Sequence, residues 1–170
     1  YVGPTGSWRI LDTEPSVPNI VHTHNLHGGY FDLRALPAIS VRAPVVMTLH
    51  DPWMLAGHCA HSFECTRWLS GCGECPDLTI PVEVPVDRSG ENWNQKASIY
   101  RKSRYRVATP SRWLMEKVER SMLRSGLIEG RVIANGVNLK VFHPGDRAME
   151  RRTLDLLDDA TIVLFVAYGI

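Results

Sequence analysis

APVVMTLHD, residues 43–51, reads as a short, buried-looking strand that ends in two polar side chains, His50 and Asp51. Outward from it the pattern repeats. NIVHTHN (19–25) is a second β-branched run, bounded by Pro18 and by Gly28-Gly29, and bounded runs of this kind predict strands. Between the two, YFDLRALPAI places Phe31, Leu33, Leu36 and Ile39 at helical spacing, with Pro37 expected to shorten or bend the helix. On the other side, residues 93–104 turn helical, with Trp93, Ala97 and Tyr100 on one face and Lys96, Arg101, Lys102 and Arg104 assigned mostly to the other. RVATP (106–110) is strand-like. Ser111 is placed to cap a helix over 112–125, whose apolar stripe is Leu114, Val118 and Met122 and whose stop is Gly126. RVIAN (131–135) is a further strand, ended by Gly136. Beyond it, residues 137–146 lack periodicity, a polar helix is expected near 147–157, and TIVLFVAYGI (161–170) is a final apolar strand. Strands alternating with helices imply parallel β-α units, hence an α/β, Rossmann-like doubly wound parallel sheet.

The flanking and intervening segments read differently. Gly3, Pro4, Gly6, Pro15 and Pro18 favour turns over regular structure in residues 1–19, and Pro76, Pro81 and Pro85 make 76–87 a surface excursion. Nineteen Lys+Arg against eighteen Asp+Glu leave a net charge of +1, which removes the usual electrostatic argument for a nucleic-acid binder. The longest apolar run, 162–168, falls far short of the ~20 residues of a membrane-spanning helix, and the N-terminus lacks a charged segment followed by an apolar core. The chain therefore reads as soluble and not secreted. It starts on Tyr1 and stops inside an apolar run, so both ends look cut from something longer.

In a parallel sheet, ligands gather at the carboxyl ends of the strands. Here those ends carry His22, Thr23, His24 and Asn25, with His27 beyond, then Thr48, His50 and Asp51, then Thr109-Pro110-Ser111, then Asn135-Gly136. Polar side chains marking where a sheet meets water are ordinary singly. Their recurrence at successive strand ends points to a sugar or phosphate site, which needs donors and acceptors on a rigid scaffold and amides at helix starts.

Five segments, VHTHN (21–25), PVVMTLHDPWMLAGHC (44–59), GCGECP (71–76), TPSRWLMEKVERSML (109–123) and VIANGVNLKVFHP (132–144), occur in an order and spacing that resembles the N-terminal half of glycosyltransferase family 4 enzymes. The likeness is to the bacterial branch of polysaccharide (colanic-acid-like) biosynthesis and runs from about residue 20 onward. It implies the GT-B architecture, two Rossmann-like domains facing across a cleft. Residues 1–142 would be a partial, acceptor-side N-terminal domain. Residues 143–170 would be the interdomain linker and the start, with its first strand, of the donor-binding domain. The early glycine-rich loop, the later basic residue that neutralises the donor diphosphate and the E-x7-E glutamate pair are absent, so the segment alone would be catalytically incomplete. Asn138 stands where the family more often has Asp.

The resemblance further implies a cytoplasmic, retaining hexosyltransferase that needs no cofactor for catalysis. Its partners would be a nucleotide-sugar donor and a glycan or lipid-linked acceptor, with no nucleic acid. The leaving diphosphate would help to deprotonate the acceptor hydroxyl, leaving positioning and charge stabilisation to the protein. His50 then takes the position of the histidine near the transferred sugar, with Asp51 as acceptor-hydroxyl ligand or base. His24, Asn25, Ser111, Arg112, Asn135 and Gly136 are the candidate substrate-binding residues, Ser111 equally suited to plain capping and Asn135-Gly136 to the turn into the linker. Trp53 and Trp68 fit either sugar stacking or loop anchoring. The basic residues Lys96, Arg101, Lys102, Arg104 and Arg106 fit either peripheral contact with the inner face of the membrane or, more simply, a solvated helix face.

All four cysteines fall in GHCAHSFECTRWLSGCGECPDL (57–78), spaced C-x5-C-x6-C-x2-C. In a reducing compartment disulfides are disfavoured. That leaves free thiols or a structural zinc held by Cys59, Cys65, Cys72 and Cys75, with His58 and His61 as substitutes. A Cys-x2-Cys with an intervening glycine favours zinc, and the five-residue first spacing counts against it. Either way the segment reads as scaffolding for the loop after His50 and Asp51. Two other classes compete with the enzyme: a nonenzymatic carbohydrate-binding α/β module stabilised by the four-cysteine zinc site, and, less well supported by charge, a zinc-ribbon nucleic-acid binder.

Overall fold

The structure is a computed structural model that describes residues 5–13, 16 and 18–166. Four strands, β1 (Val21–His24), β2 (Val45–Thr48), β3 (Tyr105–Thr109) and β4 (Leu127–Val132), form one sheet in the order β1-β2-β3-β4. Every pairing is parallel. Parallel neighbours require crossovers, and these carry α1 (Leu36–Arg42), α2 (Ser89–Arg101) and α3 (Arg112–Arg120). The sheet is thus the parallel α/β arrangement that the alternation of patterns implies. Its register sets His24 beside Thr48 and Thr48 beside Ala108, so the first three strands end abreast.

The core follows from period-two and period-3.6 patterns meeting. Val45, Met47 and Leu49 on alternate positions of the β2 run are each 1% exposed, as expected where one sheet face is covered. Leu114, Met115 and Val118 of α3 and Tyr100 of α2 are buried with them. Ser111 caps α3, its Oγ accepting from the Leu114 amide at 3.3 Å. The helical run expected over 112–125 breaks at Ser121, which is extended and accepts from the Leu123 amide, and a 3-10 turn (Met122–Ser125) completes it before Gly126.

Several boundaries differ from the sequence reading. The fourth strand is β4 rather than 131–135, because pairing with Tyr105–Thr109, not β-branching, decides which residues extend. Thr5–Asp12 forms a 3-10 helix where turns were expected. The final strand is not formed over residues 161–166, which have no partner strand among the described residues, and a strand exists only through its ladder; 167–170 lie outside the described residues. The chain divides into two compact units, 1–135 and 136–170. The second contains α4 (Arg147–Thr153), capped by Asp146, whose Oδ1 accepts from the Met149 amide.

The largest departure is Lys96. It is 4% exposed, not on a solvated face. Its position, three residues after Trp93 and one before Ala97, lies on the apolar stripe, and a long stem can follow that stripe if the ammonium finds partners. Lys96 Nζ donates to the carbonyls of Trp53 (2.6 Å) and Ala56 (2.8 Å) and lies 3.4 Å from the Trp53 ring centroid.

Candidate functional site

The ends of β1 and β2 deliver one connected cluster. His22 and His24 project from alternate positions of β1, and Thr48 and His50 continue the same alternation on β2 and its exit. His22 Nε2 is 2.8 Å from Thr48 Oγ1, and His24 Nδ1 is 3.2 Å from His50 Nε2. The rings form a row, His22 tilted on His24 and His24 stacked on His50 with centroids 5.5 Å apart. Thus His22, His24 and His50 expose three imidazoles along one sheet end, each able to donate and accept hydrogen bonds.

Behind this row a second set fixes the backbone. Asn25 has φ +31, the left-handed region that Asn tolerates better than most residues. From there its Oδ1 accepts the His50 amide at 2.9 Å and its Nδ2 donates to Asp51 Oδ2 at 3.0 Å. Asp51 also accepts the Trp53 amide at 2.8 Å, capping the 3-10 turn Pro52–Leu55, and its Oδ2 lies 3.0 Å from His27 Nε2. The Asp51 carboxylate is therefore taken up by three donors, whereas the exposed His50 ring has His24 as its one hydrogen-bond partner among the described residues. The geometry gives Asp51 an orienting position and His50 a presenting one.

The turn that Asp51 starts is clamped from α2. Besides Lys96, the buried Tyr100 donates its hydroxyl to the Met54 carbonyl at 3.0 Å. Burial pushes the Lys96 ammonium down to about 7, against the raising influence of Cys72, Cys59 and Asp51. Trp53 lies beneath Lys96 and beside His27, and it lines a cavity of about 400 Å3 with Gly28, Asp32, Val82, Val84 and Lys96. Asp32 is held at that wall by Arg34, whose side-chain hydrogen bonds keep its carboxyl below the usual range despite burial. Trp68 is buried and its indole N–H has no partner among the described residues, so it anchors the loop rather than presenting a stacking face.

Of the residues singled out in the sequence, His24, Asn25, His50 and Asp51 are brought together. Ser111 and Arg112 sit at the end of β3 on the same rim and share no hydrogen bond with the cluster among the described residues. Asn135 and Gly136 are exposed and fall where the two compact units divide. His27, Lys96 and Tyr100 were not among the site candidates. The stripe 93-96-97-100 carried the signal for Lys96, but no local pattern tells that His27 turns back to Asp51.

A parallel α/β sheet with polar side chains gathered at its carboxyl rim belongs to the class of α/β domains whose ligand sites form at that rim. No protein-family description and no solved structure matches the chain. One curated protein does: WcaC of Escherichia coli (strain K12), named as a glycosyl transferase of colanic acid biosynthesis, is 29% identical over 96 residues. The match covers 52% of this chain and 24% of that protein, so the chain corresponds to about a quarter of its relative's length. No described helix is long and apolar enough to cross a membrane.

Proposed function

We propose that this chain is the acceptor-side part of a retaining GT-B glycosyltransferase that moves a sugar, a hexose in this reading, from a nucleotide donor onto a glycan or lipid-linked acceptor hydroxyl in polysaccharide synthesis. The observation that carries the reading is the fused strand-end cluster, His24-His50 backed by Asn25-Asp51, in a chain whose curated relative is named as a glycosyl transferase. His50 is the residue that meets the transferred sugar or the acceptor hydroxyl. His24 fixes its ring. Asn25 and Asp51 hold the backbone that carries it, and His27 holds Asp51. In this assignment the protein supplies orientation and hydrogen bonds to developing charge, while the leaving diphosphate takes the acceptor proton. Ser111 and Arg112 stand at a helix N-terminus, which suits an anionic group of the donor or acceptor.

The test uses a full-length protein that contains this segment. His50→Ala should reduce kcat for sugar transfer by at least tenfold with the fold intact by circular dichroism. Retention of transfer within about twofold of wild type, under ~0.5 kcal/mol of barrier, would remove His50 from the site.

A further inference from the structure

The cysteine segment runs through 57–78 without a regular element longer than the 3-10 turn Arg67–Leu69, yet it folds back so that Cys59, Cys65, Cys72 and Cys75 all line a single cavity, with His58 and Trp68. That cavity has about 20 Å3 of free space. A single water requires ~10–15 Å3 by the same kind of measure, so the room is of the size of one monatomic ion. All four thiols are free. Among the described residues no three His, Cys, Asp or Glu donors already stand at mutual ligand separation; the thiols surround the space without having closed on it.

We propose that Cys59, Cys65, Cys72 and Cys75 bind one zinc ion as a tetrahedral thiolate site, and that this ion sets the path of the chain from Asp51 to α2. Closing requires rotation of the cysteine side chains to Zn–S distances of ~2.3 Å. Binding releases the thiol protons, and four thiolates on Zn2+ leave a net charge of −2. One donor is already in place: the Gly57 amide donates to Cys72 Sγ at 3.3 Å. The Cys72–Cys75 knuckle has the backbone such a site requires: Gly71 (φ +148) and Gly73 (φ +139) occupy the left-handed half of the map. Arg67 donates to the Gly73 carbonyl at 2.8 Å, and the Cys75 amide donates to Asp87 Oδ2 at 2.7 Å. His58 is engaged otherwise, its ring bridging the Val82 carbonyl and Cys75 Sγ, and His61 stacks on Trp113; neither is needed as a ligand. A zinc here supplies order where the segment has little apolar burial, since metal binding free energy is then folding free energy.

The proposal is independent of the reaction assigned above and is tested without an activity assay. The full chain, purified without chelator, should carry about one zinc per chain by elemental analysis, and cobalt added to the apo form should give the thiolate charge-transfer absorption of a tetrahedral site. Cys72→Ser/Cys75→Ser should lose the metal, and His61→Ala should keep it. If the double variant does not fold, the wild type decides: a mercurial thiol reagent should release zinc in step with thiol modification, and its melting temperature should fall on chelation. Less than about 0.3 zinc per chain, four thiols that react freely in the native protein, a mass showing disulfides, or zinc retained by the double variant would each overturn the proposal.

Discussion

Asp51→Ala separates an orienting carboxylate from a reacting one. The side chain accepts three hydrogen bonds, from the Trp53 amide, Asn25 Nδ2 and His27 Nε2, at 2.8, 3.0 and 3.0 Å. Loss of the cap on the 3-10 turn costs about 1 kcal/mol. Each side-chain bond contributes ~0.5–1.5 kcal/mol net. The low end applies, because Asp51 is 22% exposed and water replaces part of what is removed. The total is about 2 kcal/mol, roughly thirtyfold in the folded-to-unfolded ratio. In urea, with a slope of ~1–3 kcal/mol per molar, the midpoint should fall by about 1 M. Asp51→Asn retains an oxygen for the Trp53 amide and should fall by about half as much. Asn25→Ala removes two links of the same network, so Asn25→Ala/Asp51→Ala should be less destabilised than the sum of the single variants. An Asp51→Ala midpoint within about 0.2 M of wild type, or strict additivity with Asn25→Ala, would show that the network does not hold this rim together.

Two further outcomes follow from the geometry. At Gly57 an added Cβ would lie 2.7 Å from both Cα and Cβ of the buried Ser89; Gly57→Ala should therefore destabilise the fold by about 2 kcal/mol or more, and an unchanged melting temperature would contradict the close approach of this loop to α2. Asp32 has its carboxyl lowered chiefly by the Arg34 hydrogen bonds. Its folded value lies below its unfolded one, so its stabilisation is complete above the ordinary carboxylate value of ~4 and is lost as pH falls through the folded value. The stability gap between wild type and Asp32→Asn should accordingly narrow on acidification below about pH 4, and a constant gap measured by denaturant titration would refute the clasp.

The strand-helix alternation was readable because burial imposes its periods directly on the sequence: Val45, Met47 and Leu49 alternate, and Leu114 and Val118 recur at one helical turn. Boundaries were less readable. Residues 127–132 extend because β3 offers them a ladder, and 161–166 do not extend because no described strand pairs with them. Lys96 follows its position on the apolar stripe and not its charge, because its ammonium finds the Trp53 and Ala56 carbonyls. Tyr100 lies on the apolar face as its spacing implies, but its hydroxyl bond to Met54 and the turn of His27 back to Asp51 join residues that no local pattern links.

The sequence by itself determined which chemistry reaches the rim of the sheet: histidines, an asparagine and an aspartate at the ends of two strands, because parallel strands must end on one side. Only the tertiary structure decided how that chemistry is divided. Register sets the ends of β1 and β2 side by side, and the side chains then link His24 to His50 and Asn25 to Asp51, so that three donors occupy one carboxylate while the His50 imidazole stays exposed. Likewise the spacing of the four cysteines left zinc and free thiols both open. The return of the chain brings all four to one cavity of atomic size, beside contacts as distant in sequence as Lys117 on Ser62, fifty-five residues apart, and no local pattern contains that convergence.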